Sequence, residues 1–301
     1  MPINLHELPR LRDSLSYLYI EHAIIDRKLN AIEFVQEGGR TLIPIAALCV
    51  LMLGPGTSLS HAAVKCLAEN GCSIVWVGED GMRCYAQGMG ETRRAYHLIR
   101  QAELLCDSKT REKVVLAMYQ IRFNEAFPSG LSLPQVRGLE GVRVRESYAQ
   151  ASVLYGVSWQ GRRYNSKNWD YSDPINRALS SANALLNGIC HAAIVAGGYH
   201  PGLGFIHTGR QMSFVYDIAD LYKTELTIPS AFEIVAESTT DIDKRVRVRL
   251  RERFHEVKLL ERILPDIDRL FAIPKDFEDR LEADSPTELW QELFYHDRHN
   301  T

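Results

Sequence analysis

The chain has 301 residues, 46% of them hydrophobic and 24% charged, which is ordinary for a globular protein and excludes a disordered or fibrous one. That length points to two domains. The net charge of −3 argues only weakly against nucleic acid, because arginine is unevenly spread and a local basic face binds phosphate whatever the total. No run of about 18 apolar residues suggests a membrane span, and the opening MPINLHELPRLRD has no apolar signal core. Six scattered cysteines with no CxxC pair read as reduced thiols rather than a zinc site. A cytoplasmic protein is the expectation.

Residues from about 14 to 86 read as strands. Leu15, Tyr17 and Tyr19 alternate as in a half-buried strand. Residues 32–35 and 41–45 flank QEGGR, whose Gly38-Gly39 pair suits a hairpin turn. Residues 48–53 and 73–77 are apolar runs of buried-strand length, and 82–86 returns after the turn signal GEDG. One helix interrupts, 60–69, stopped by Asn70-Gly71. A break falls near residues 87–91. Beyond it, 91–106, 110–124 and 133–155 carry apolar residues at three-to-four spacing among strong helix formers. Residues 157–173 form a polar, aromatic-rich loop, and 174–197 reads as a buried helix of small apolar residues. A helix is expected from about Ser230 to Glu237. The basic segment 244–253 (KRVRVRLRER) has arginine at period two, but Leu250, Phe254, Val257 and Leu260 favour a helix. Ser285-Pro286-Thr287-Glu288 looks like a capping box at the head of a short helix in an acidic tail. The fold class is therefore α+β, with a small N-terminal mainly-β domain (1–88), a larger α-helical domain (91–272) and a tail (273–301).

Chemistry concentrates in residues 204–220, GFIHTGRQMSFVYDIAD. His207 sits in a glycine-rich turn, and Asp217 and Asp220 lie three apart on an otherwise apolar helix, so they share a face. A histidine and carboxylates with no thiol suit Mg²⁺ or Mn²⁺ rather than structural zinc; a hydrogen-bonded histidine and a solvated acidic face are the plain alternatives. In Arg137-Gly138-Leu139-Glu140-Gly141, an acid is set between two glycines, each costing about 1 kcal/mol in a helix. The acid either serves an approaching ligand or is an exposed surface glutamate. Trp159, Tyr164 and Trp169 lie among Arg162, Arg163 and Lys167, a mixture that suits single-stranded nucleic acid, or else a loop pinned to the core by its rings. The six cations of 244–253 offer phosphate binding, or a solvated helix. No GKS/T follows the glycines of 200–204, and no GxSxG is present, so a P-loop and a serine hydrolase are excluded.

RGLEGVRVR (137–145), GFIHTGRQMSFVYDIAD (204–220), PGTSLSHAAV (55–64) and VWVGEDGMRCYAQG (75–88) together closely resemble the CRISPR adaptation integrase, the first Cas subunit, with a subtype that looks like I-E. The resemblance runs in consistent order from about residue 10 to about 270. It implies a small β-domain that serves dimerisation and DNA-end contacts, joined to a helical catalytic domain. It implies a homodimer, with two dimers flanking a dimer of the small second adaptation subunit in a heterohexamer. It implies insertion of short double-stranded DNA fragments into CRISPR repeat DNA by 3′-OH attack. The metal ligands it implies are Glu140, His207 and Asp220, with Asp217 a further functional acid. The DNA contacts it implies are Arg83, Arg137, Arg145, Arg162, Arg163, Tyr164, Trp169, Arg210, Lys244 and Arg247. His22, Asn187 and Ser58 depart from the family pattern, which places a tyrosine, a tyrosine and a basic residue there. A metal-dependent endonuclease on branched DNA and a catalytically silent capture scaffold are the rival readings.

Overall fold

A computed structural model describes residues 17–29, 31–45, 48, 50–78, 84–88, 95–123, 133–162 and 173–273. Its first part holds two four-stranded sheets. One has the order β1-β5-β7-β8, from β1 (Tyr17–Ile20), β5 (Val50–Leu53), β7 (Ser73–Val77) and β8 (Cys84–Gly88). Its first three strands are parallel, and β8 closes it antiparallel. The other has the order β4-β3-β2-β6, from β4 (Gly39–Pro44), β3 (Ala31–Gln36), β2 (Ile24–Lys28) and the short β6 (Ser58–Leu59). The expected hairpin over Gly38-Gly39 joins β3 to β4, with Gln36 opposite Gly39. Strand β2, IIDRK, was not expected, because its apolar residues do not alternate past Ile25.

Between the sheets sits α1 (His61–Glu69), which starts where the Ser60 side chain accepts the Ala63 N–H at 3.1 Å. It packs Ala63, Cys66 and Leu67 against Leu51, Leu53 and Ile74 of the first sheet and Ile25, Ile32 and Phe34 of the second. The opposite face of β5 and β7, carrying Val50, Met52, Val75 and Val77, packs on Ala192 and Ala196 of a long helix from the second part. Strand β5 is thus buried on both faces, which is why its sequence is continuously apolar instead of alternating.

That long helix, α5 (Pro174–Ala196), begins with Asp173 capping the Asn176 N–H at 2.8 Å and with Pro174 in the first turn. It has the length and hydropathy of a membrane span, contrary to the expectation from apolar runs alone, yet 78% of its apolar window is buried inside the protein. Around it pack α6 (Ser213–Asp220), a π-helical turn (Lys223–Thr227), α7 (Ile228–Glu237), α8 (Ile242–Glu256) and α9 (Leu259–Leu270). Alongside lie α2 (Tyr96–Cys106), α3 (Ser108–Phe123) and α4 (Leu133–Tyr155). The basic segment is helical, as its Val246, Leu250 and Phe254 stripe demands. An N-terminal β-rich region followed by a helical domain is what the patterning predicts.

His191 of α5 sits against β8, its Nε2 2.8 Å from Gln87 Oε1. Burial pulls its pKa down from the usual 6.5 to about 4. The unfolded chain therefore binds a proton between those values that the folded chain refuses, so stability falls as pH drops through this window and levels off below it. The wild type should lose about 3 kcal/mol there from this group. His191→Gln should flatten that slope in urea unfolding measured from pH 7 to 4.

Candidate metal and nucleic-acid site

The loop between α5 and α6 is held by groups that come from far away in the sequence. Gln101 of α2 donates to His200 O and Leu203 O at 3.1 and 2.9 Å and accepts the His200 N–H at 2.8 Å. Arg111 of α3 donates twice to Phe205 O, at 3.1 and 2.9 Å. Tyr199 and Phe205 of the loop pack tilted or edge-on against Phe214 and Phe271, which stack on each other. Gly204 is required by close approach, since a Cβ there would come within 2.3 Å of His207 O. Neither Gln101 nor Arg111 was singled out from sequence, because nothing in a local pattern shows which carbonyl a distant side chain will reach.

Asp217 is fully buried. Its Oδ2 accepts the N–H groups of Phe205 at 2.6 Å and Ile206 at 3.0 Å. Its Oδ1 accepts the His207 N–H at 2.9 Å and the His207 ring Nδ1 at 2.7 Å. A carboxylate out of water must be satisfied in this way. The contact with Asp217 raises the His207 pKa above the ordinary imidazole value. The charged pair therefore adds stability below the ordinary pKa, and that stability is lost as pH rises through the raised one. With Nδ1 engaged, Nε2 is the nitrogen left for a ligand, and the His207 side chain is 44% exposed. A carboxylate behind an imidazole is the usual support of a metal-binding histidine.

Glu140 and Asp220 meet from different helices. Arg122, in the last turn of α3, places Nη1 2.6 Å from Glu140 Oε1 and 3.6 Å from Asp220 Oδ2. Lys223 Nζ lies 2.5 Å from Asp220 Oδ1, at an angle that leaves this buried oxygen without a hydrogen bond. The surface-glutamate reading of Glu140 is set aside, since its side chain is only 23% exposed and ion-paired. His207 is close enough to Asp220 and Lys223 for both charges to act on its proton. Among the described residues no three His, Cys, Asp or Glu side chains converge on one point. The expected ligands instead form two neighbouring halves, Glu140–Arg122–Asp220 and His207–Asp217. The donor set fits a hard divalent ion in its chemistry: two carboxylates, one imidazole with its second nitrogen tied back, and a buried carboxylate oxygen lacking a hydrogen-bond partner.

The basic residues divide. Arg245, Arg249 and Arg253 lie four apart on α8 and pair with Glu237 and Glu233 of α7. They tie two helices together, which the period-two count had hidden. Lys244 is exposed and Arg247 half-buried on another flank, and Arg251 lies over the Tyr19 ring. Arg137, Arg145 and Arg210 are exposed. Arg162 donates to Asn176 O, Asn176 Oδ1 and Ser180 Oγ, so it fastens the 157–162 stretch to α5. Trp159 stacks on Tyr148 at 4.6 Å and meets Phe232 edge-on, so for this ring the pinned-loop alternative holds. Arg83, Arg163, Tyr164 and Trp169 lie outside the described residues, as does the tail with its capping box. His22 takes a left-handed turn with φ 51°, Ser58 is exposed on β6, and Asn187 is half-buried on α5 with its Oδ1 unpartnered.

A β-rich first part feeding a helical second part is also the fold of a Thermotoga maritima CAS1 protein, with a TM-score of 0.59 at 17% identity, covering 87% of this chain and 98% of that one. The family model described as CRISPR associated protein Cas1 matches residues 16–126 and 112–254. The chain belongs to the Cas1 family. It is 52% identical over 292 residues to CRISPR-associated endonuclease Cas1 2 of Thermus thermophilus, covering 95% of this chain and 90% of that protein. It is 43% identical over 263 residues to CRISPR-associated endonuclease Cas1 of Escherichia coli K12, covering 87% and 86%. The crystal structure of a TtCas1–DNA complex superposes with a TM-score of 0.77 at 53% identity, covering 88% of this chain and 99% of that one.

Asp217→Ala should cost roughly 2–4 kcal/mol, because three amides and an imidazole lose their acceptor. Denaturant unfolding would measure the loss, and amide exchange at Phe205, Ile206 and His207 should accelerate. The two flanks of α8 should separate as well. Lys244→Ala with Arg247→Ala should weaken duplex binding and flatten its salt dependence by roughly 1–2 units of log–log slope, near 0.9 for each phosphate that is no longer neutralised. Arg249→Ala should instead lower thermal stability with little change in that slope.

Proposed function

We propose that the chain is a metal-dependent DNA integrase that inserts short double-stranded fragments into CRISPR repeat DNA by 3′-OH attack on a phosphodiester. Membership of the Cas1 family supports this reading. The observation that carries it is that Glu140 from α4 and Asp220 from α6 share the Arg122 guanidinium, while His207 in the preceding loop lies close enough to Asp220 to feel its charge.

In the reaction, the fragment's terminal hydroxyl gives up its proton and forms a new P–O bond. The bond to the repeat's own 3′-oxygen breaks, and that oxygen takes up a proton. Glu140, Asp220 and His207 Nε2 would hold Mg²⁺ or Mn²⁺. Such an ion lowers the pKa of an attacking hydroxyl and offsets charge growing on the transferring phosphoryl group. Asp217 fixes the ring so that Nε2 faces outward and Nδ1–H points back. Arg137 and Arg210 offer fixed positive charge beside the reacting phosphate. Lys244, Arg247 and Arg145 hold the duplex through its backbone, and Arg83, Arg163, Tyr164 and Trp169 complete the DNA set.

The β-rich part, residues 1–88, would serve dimerisation and contact with fragment ends. Residues 91–272 would carry the chemistry. The working form would be a homodimer joined by the small second adaptation subunit, of subtype I-E, acting in the cytoplasm. His22, Asn187 and Ser58 would alter how fragment ends are splayed, not the ligand set. A second reading is hydrolysis of branched DNA with water in place of the 3′-hydroxyl, which the name endonuclease of the relatives favours.

Joining of a labelled short duplex to a repeat-bearing supercoiled plasmid tests both readings. Glu140→Gln and His207→Ala should each reduce metal-dependent joining by about a hundredfold or more while fragment binding persists. Normal joining by either variant would remove the assigned site. Cleavage without joining, by the wild type with the small subunit present, would favour the hydrolytic reading.

A further inference from the structure

Arg122 is 8% exposed and carries its charge between Glu140 and Asp220. Were it only a structural ion pair, its donors should all be used, since a buried guanidinium is costly to leave underbonded. They are not all used. Nε is buried and has no acceptor, and the approach to Asp220 is 3.6 Å against 2.6 Å to Glu140. Asp220 is underbonded too, because its Oδ1 accepts no hydrogen bond although Lys223 lies beside it. Arg122 and Asp220 each thus keep a buried polar atom without a hydrogen bond, Nε on one and Oδ1 on the other, while the contact between them runs through Nη1 and Oδ2. The Arg122 guanidinium also lies 5.4 Å from the centre of the Phe123 ring, which the Arg143 guanidinium approaches at 5.3 Å. That aromatic neighbour can keep the cation company when a carboxylate lets it go.

We propose that Arg122 is the counter-ion shared by Glu140 and Asp220, alongside Lys223 on Asp220 Oδ1, and that a divalent cation enters only by displacing the guanidinium from at least one of the two carboxylates. Arg122 is then a positioning residue. It keeps two carboxylates from repelling each other before the ion arrives, and it weakens the apparent affinity for that ion because the two compete for the same oxygens. The proposal rests on the metal-site reading above and adds a direction to it: loss of Arg122 tightens binding. A merely structural brace predicts the reverse, because carboxylates that lose their support ligate less well.

The test uses the full chain without DNA and Mn²⁺ alone as probe, with free Mn²⁺ followed by electron paramagnetic resonance. Arg122→Gln should bind Mn²⁺ at least about tenfold more tightly than the wild type, and Mn²⁺ should raise its melting temperature by more. Equal or weaker binding by the folded variant overturns the proposal. Should Arg122→Gln not fold, the wild type still decides. With labelled arginine, the Arg122 Nε–H resonance should shift saturably on titration with Mg²⁺, and a resonance that stays put overturns the proposal. Glu140→Gln and Asp220→Asn separate the two layers. If wild-type Mn²⁺ binding is indifferent to both, the metal-site reading fails. If binding depends on them yet is not tightened by Arg122→Gln, only the counter-ion proposal fails.

Discussion

A carboxylate without water must find all its hydrogen bonds within the protein, and Asp217 does so by gathering the backbone of the loop before its own helix. Three consecutive amides and one imidazole point at two oxygens. The position of His207 follows from this, as does its orientation. The loop has no regular structure to hold it, so its shape is the shape that satisfies Asp217. Gln101 and Arg111 finish the work from outside by taking up carbonyls that face the other way. What looks on paper like a flexible glycine-rich turn is a rigid mount, which is what a ligand needs if it is to be in place before its ion.

The other half of the site is built differently. Glu140 and Asp220 belong to helices, and their separation is set by helix packing, with α3 supplying the cation between them. Gly138 and Gly141 flank Glu140 on α4; a Cβ at Gly138 would meet nothing within 4 Å, and one at Gly141 only Arg145 at 3.7 Å. Neither glycine is demanded by packing. Their effect is to leave the helix surface around Glu140 low and open, at a cost in helix stability that the sequence shows plainly. Loop and helices thus contribute different qualities, an imidazole fixed by backbone amides and a carboxylate pair held by cations from α3 and the π-helical turn.

Much of this was readable from residues alone, for physical reasons that can be named. Helix α5 declared itself by its unbroken small apolar residues, and α8 by Leu250 and Phe254 against the misleading arginine alternation. The Asp217–Asp220 spacing predicts two acids sharing a face, whereas Asp217 turns to the loop amides and Asp220 to Arg122 and Lys223. What stayed hidden depended on partners distant in the chain. The parallel pairing of β1, β5 and β7 leaves no local mark. Arg122 looked like any arginine at the end of a helix, because its burial comes from α4 and α6. Arg245, Arg249 and Arg253 fit either phosphate binding or a solvated helix from sequence, and Glu233 and Glu237 opposite them decide for neither. Family resemblance named Glu140, His207 and Asp220 but not the cations that fill the space between them.

Helix α5 has a consequence for how the chain is made. Every helix that wraps it after residue 196 follows it in the sequence, through Leu270 at the end of α9. As the polypeptide leaves the ribosome, 23 residues with the hydropathy of a membrane span emerge well before most of their cover exists. At about 5–20 residues per second, synthesis of the remaining 74 residues to Leu270 takes on the order of 4–15 seconds. The strands of the first sheet are already synthesised by then and carry Val50, Met52, Val75 and Val77, which cover one side of the helix in the folded protein. The sheet that positions α5 in the finished protein is thus also the first surface on which it can shelter while the rest is being synthesised.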